Sequence, residues 1–106
     1  MGLFSKQSEA EKSLAATAQV VGESVGKVGV ELMPADFVDF TIGNQQKSLA
    51  SKVAARAQEV GPDKAAAEAV KTARIFAEAY PLRGRSAKAA GDRAEAAVWG
   101  MLAAGF

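Results

Sequence analysis

The chain has 106 residues and a mass of 10.9 kDa, room for one domain built on one hydrophobic core. Thirteen Lys and Arg against twelve Asp and Glu leave a net charge of +1, which argues against a partner recognised by overwhelming charge of either sign. The absence of Cys and His removes disulfides, thiolate and imidazole zinc sites, haem ligand pairs and Cys- or His-based catalysis from what this chain can build alone.

Alanine accounts for 24 residues, against 28 larger aliphatic, aromatic and Met side chains. Alanine is the best helix former but buries little area. Apolar burial returns roughly 25 cal/mol per Å², against ~1–2 kcal/mol of backbone ordering per residue. Such a composition implies helices brought close by Ala and Gly contacts, or an assembly that buries what one copy cannot.

From the start, Met1-Gly2-Leu3-Phe4-Ser5-Lys6 has only a two-residue apolar run before Glu9 and Glu11, so no secretory signal is expected. Lys6 stands where the myristoylation pattern requires Ser or Thr. Ser8 with Glu11 makes a capping-box pattern, with Ser5 an equally good start. Leu14, Ala18, Val21, Val25, Val28 and Leu32 then alternate in steps of four and three, predicting a helix over about 6–32. Gly22, Gly26 and Gly29 would cost that helix roughly 3 kcal/mol together unless a neighbouring backbone packs against them. The alternative is a β-hairpin over 27–42, where Val28, Val30 and Leu32 alternate with polar residues or Gly before Pro34, and Val38, Phe40 and Ile42 do so after it. A lone two-stranded hairpin is marginal, and no third strand is evident, so the helix is favoured.

Asn44 can cap a helix over 44–60 with Leu49, Val53, Ala57 and Val60 on one face. Gly61-Pro62 ends it, and Asp63 offers a cap for a helix over 63–80 whose stripe is Ala66, Ala69, Val70, Ala73, Phe76, Ala77 and Tyr80. Pro81 stops that helix, and Ser86 can cap a last one over 86–104 carrying Ala87, Ala90, Ala94, Ala97 and Met101, weakened by Gly91. The longest uncharged stretch, Ala96 to Phe106, falls short of the ~20 residues a spanning helix needs. The expected fold is an all-α, Ala-rich bundle of about four helices, one helical domain over 1–106, with no transmembrane segment and a place in the cytoplasm or in a soluble assembly.

Catalytic vocabulary is thin. Gly22-Glu23-Ser24-Val25-Gly26-Lys27-Val28 resembles a phosphate loop but has three residues between its glycines instead of four, and Val28 where Ser or Thr must hold magnesium. Close helix packing along Gly22, Gly26 and Gly29 explains it better. The pairs Glu9 with Glu11 and Asp36 with Asp39 show no convergence toward a cation, and no Ser-x-x-Lys on a buried face suggests a nucleophile. No enzyme activity and no cofactor or metal are expected.

Two constellations remain. Arg83, Arg85, Lys88 and Arg93 straddle a helix start, where free amides and guanidinium groups contact phosphate, so weak, salt-sensitive binding to nucleic acid or an anionic membrane is one expectation. The same positives can instead meet Glu23, Glu31, Asp36 and Asp39, four acids set against Lys27. The last helix is apolar all round, and Ile75 sits about 200° from Ala73, so one core cannot use every surface. Ile75, Val98, Trp99, Met101, Leu102 and Phe106 are the candidate interface residues. The favoured expectation is a structural or assembly subunit that forms a homo-oligomer or docks into a larger complex through its C-terminal helix. A small phosphate-binding accessory is the alternative.

Overall fold

A computed structural model describes residues 7–28, 46–80 and 86–105. They form four α-helices, α1 (Glu9–Val28), α2 (Gln46–Val60), α3 (Pro62–Ala79) and α4 (Ala87–Gly105), with no strand among the described residues. Lys27 and Val28 belong to α1, so the hairpin does not begin where expected. The rest of the 27–42 segment, the extension to Leu32 and the Asn44 cap lie outside the described residues.

Local chemistry sets the helix ends. The Glu11 amide donates to Ser8 Oγ at 3.1 Å and the Lys12 amide to the Ser8 carbonyl at 3.0 Å, so Ser8 caps α1. Ser86 repeats the device on α4, accepting from the Ala89 amide at 3.0 Å through Oγ and from the Ala90 amide at 3.1 Å through its carbonyl. Between α2 and α3 a single residue makes the turn. Gly61 donates to the Ala57 carbonyl and accepts from the Ala65 amide, at a φ of 93° that L side chains rarely adopt. Gly61, and not Asp63, is the cap of α3. Pro62 is the first helical residue because its φ is preset and its missing N–H is not needed there, which leaves Asp63 in the first turn, where a negative charge suits the helix dipole.

The contacts give an up-down-up-down order. Gly22 meets Ala73 and Gly26 meets Ala77, so α1 and α3 run in the same direction. Ser8 meets Glu59 and Arg56 meets Glu11, so α2 runs against α1; Arg74 reaches Asp92 and Glu95 while Glu78 lies against Gly91, so α4 runs against α3. Helix α3 packs most extensively on α1 and α4.

Alanine makes the inner face of α3: Ala65, Ala66, Ala69, Ala73 and Ala77 are buried. The larger side chains come from its neighbours, Leu14, Val21 and Val25 from α1, Leu49 and Val53 from α2, and Val98, Met101 and Leu102 from α4. Short side chains touch only if the helix axes come close, and two α1 glycines permit that. A Cβ on Gly26 would lie 2.7 Å from the Ala77 carbonyl oxygen and 2.8 Å from that of Tyr80, and one on Gly22 would overlap the Ala73 carbonyl. Gly91 has a similar reason, since a Cβ there would press on the Glu78 and Arg74 side chains. Gly100 has open space around it.

These contrasts predict opposite outcomes. Gly22→Ala lowers the unfolding free energy by about 1–3 kcal/mol, the usual cost of overpacking. Gly100→Ala raises it by about 0.5–1 kcal/mol through backbone entropy alone. Both are read as shifts of the urea midpoint in dilute protein.

Candidate functional site

The outer arc of α4 is the candidate. Val98 and Trp99 are neighbours in sequence and therefore point 100° apart on a helix. Val98 faces the bundle interior and is fully buried, whereas Trp99 stands 47 % exposed. Around Trp99 the exposed surface continues over Ala96, Gly100 and Ala103. On α3, Ile75 is 52 % exposed, as its displacement from the alanine stripe requires.

The six candidate interface residues therefore divide. Ile75 and Trp99 face outward. Val98, Met101 and Leu102 are buried in the chain's own core: α4 is apolar on more than one side because it fills the bundle with one arc and displays another. Phe106 lies outside the described residues. Tyr80, expected to extend the α3 stripe inward, is instead exposed, with the Lys27 ammonium 4.9 Å from its ring centroid.

Of the basic group, Lys88 and Arg93 are described. Arg83 and Arg85 lie outside the described residues. Lys88 Nζ is 2.8 Å from Asp92 Oδ2, one turn along its own helix, and Arg93 is exposed. Among the expected acidic partners, Glu23 accepts a hydrogen bond from Gln19 at 3.0 Å, and Glu31, Asp36 and Asp39 lie outside the described residues.

Two arginines that the motif reading passed over organise the charged surface. Arg56, with its side chain only 12 % exposed, donates to both oxygens of Glu68 at 2.8 and 3.0 Å, to Glu59 at 2.8 Å, and lies 3.6 Å from Glu11. Ser8 Oγ donates to the same Glu59 at 2.6 Å, so this one guanidinium ties the beginning of α1 to α2 and α3. Arg74 does the same between α3 and α4, reaching Asp92 at 2.8 Å, Glu95 at 3.2 Å and Glu78 at 3.0 Å. The sequence signal for Arg56 is its place beside the Val53, Ala57 and Val60 stripe, with Glu59 one turn on and Glu68 across the one-residue turn.

These bonds shift titrations. Ser8 and Arg56 hold Glu59 below its ordinary carboxylate range, Arg56 does so for Glu68, and Lys88 with Arg74 does so for Asp92. The arginine partners are held still more firmly protonated. Among the described residues no polar or charged side chain is buried in the core, and no group of three acids is placed to hold a metal. No described helix is long and apolar enough to cross a membrane.

Two surface depressions lie among the described residues. A small cleft of about 170 Å³ between α1 and α3 is lined by Glu11, Glu68, Lys71 and Thr72 over Leu14 and Ala15, with its two carboxylates already engaged by Arg56. A larger groove, about 470 Å³, runs along α2 and the start of α3 between Val53, Ala54, Ala57, Gln58, Pro62 and Ala66. Compared with protein-family models, curated proteins and solved structures, the chain matches none.

Glu59, Glu68 and Asp92 have lower pKa values folded than unfolded, so the unfolded chain binds more protons as the solution is acidified through the carboxylate range. Stability is therefore complete above about pH 5 and falls as the pH drops through their depressed folded values. Melting temperatures from pH 7 to pH 2 test this. Arg56→Met lowers the pH 7 melting temperature and flattens the acid limb, leaving the parts that Asp92 and the Ser8–Glu59 hydrogen bond contribute.

Proposed function

We propose that the chain is a non-enzymatic structural or assembly subunit that self-associates, or docks into a larger complex, through the outer arc of α4. Trp99 carries this reading. It is the only tryptophan in a chain with few large apolar side chains, and it stands half in solvent on a regular helix. Tryptophan is the residue type most enriched where truncation costs an interface the most. Ala96, Gly100 and Ala103 beside it let a partner approach closely, and Ile75 supplies a second exposed apolar contact on α3.

Phosphate binding through Arg83, Arg85, Lys88 and Arg93 has less support. Lys88 is engaged with Asp92, and the Ala89 amide at the start of α4 is satisfied by Ser86. The balanced charge of the whole chain adds no long-range attraction toward polyanions.

Light scattering over a concentration series tests the assembly. The expected mass rises above the 10.9 kDa of one chain as concentration increases, and Trp99→Ala returns it to one chain while changing stability little. Leu102→Ala behaves as a core change and costs about 2–5 kcal/mol of stability. Arg83→Ala with Arg85→Ala leaves the mass unchanged. A one-chain mass at every concentration, with Trp99 emission already that of a shielded indole, overturns the proposal.

A further inference from the structure

The exposed Trp99 and the groove along α2 are complementary in chemistry. The groove has an apolar floor of buried Val53 and Ala66 and part-buried Ala57, exposed Ala54 and Pro62 on its sides, and one polar lining residue, Gln58. No charged residue lines it. Its volume of about 470 Å³ is more than one indole needs, so the groove admits the ring. An indole has the matching constitution, a large flat apolar body with one N–H donor that needs an acceptor when buried, and the Gln58 amide oxygen is such an acceptor. Trp99 is not among the residues that line the groove of its own chain.

We propose that the groove receives the Trp99 side chain of a second copy of this chain, with the indole N–H donating to Gln58 Oε1. This rests on the assembly role proposed above and names the contact that performs it. The alanines at 54, 57 and 66 are what keep the groove open, since any larger side chain there would fill it. Each copy offers one indole and one groove, so two copies can exchange tryptophans reciprocally or many can pass them along in a row, and both arrangements contain the same contact. An uncharged groove and an uncharged knob make the association insensitive to salt, unlike one driven by the basic group around Lys88.

Complementary mutants test the contact. Trp99→Ala and, separately, Ala54→Phe each weaken self-association by roughly 30-fold, the loss expected for an interface anchor; Gln58→Lys, at an exposed position, removes the acceptor and gives a second groove variant with the same result. Mixing W99A with A54F then restores a 1:1 complex, because the first retains an open groove and the second retains an indole. The tryptophan emission of A54F shifts to the blue only when W99A is added. If W99A dissociates the protein but both groove variants associate normally and the mixture yields no complex, the indole docks elsewhere, and this inference falls while the assembly role stands. If Ala54→Phe lowers the melting temperature and leaves association intact, the groove is filled from within its own chain, and the inference falls. A wild-type protein of one-chain mass at every concentration overturns this inference, and with a Trp99 emission already that of a shielded indole it overturns the assembly role as well.

Discussion

Short side chains force close axes. The inner face of α3 offers little beyond methyl groups, and a methyl group makes dispersion contacts only when the opposite backbone comes within van der Waals reach. Gly22 and Gly26 grant that approach, because their missing Cβ atoms leave room for the carbonyls of Ala73 and Ala77. The rest of the packing follows from this contact. Once α1 lies against α3, its larger residues Leu14, Val21 and Val25 reach past the alanines and share an interior with Leu49, Val53, Val98 and Leu102. The entropic penalty of glycine within α1 is thus offset by the dispersion gained across the whole α1–α3 contact.

A stripe of alanines has a cost of another kind. Successive methyl groups look alike, so sliding α3 by one turn against a neighbour would change the apolar contact little. The two arginines oppose such sliding. Arg56 must face Glu11, Glu59 and Glu68 together, and Arg74 must face Glu78, Asp92 and Glu95 together, and a one-turn slip would break several of these charge-assisted bonds at once. Isolated surface ion pairs contribute only about 0–1 kcal/mol. Their weight here is in register. Gly91 belongs to the same device, since its lack of a side chain leaves space for the Arg74–Glu78 pair where α4 crosses.

Much of this was legible in the residues. Periodicity located α2, α3 and α4 to within about two residues at each end, and the α1 stripe through Leu14, Ala18, Val21 and Val25 is buried as its spacing requires. The glycines at 22 and 26 were readable as a packing surface because a phosphate loop demands a different spacing. Other features depend on tertiary placement. Asp63 looks like a cap until the positive φ of Gly61 and the preset φ of Pro62 move the cap back by two residues. Tyr80 continues the spacing of the α3 stripe, yet at the end of the helix it meets Lys27 and solvent. Arg56 shows in the sequence only as a neighbour of its stripe and Arg74 not at all; their roles exist once three helices have brought acids to Arg56 and two have brought them to Arg74.

The outer arc of α4 shows the same limit and what lies beyond it. A helix end apolar all round does not reveal which residues face inward until its neighbours are placed, and the bundle, by burying Val98 and Leu102, leaves Trp99 outside. For an isolated chain that distribution is unfavourable. The largest apolar side chain available contributes half its surface to water, in a protein whose interior is otherwise built from methyl groups and a few branched residues. A bundle optimised to stand alone would gain more from a polar residue at that position, and from alanine in place of Gly100, than it gains from the residues present. Both departures from self-sufficiency fall next to each other on one helix face, which is where a contact with another chain would turn each of them from a loss into a gain.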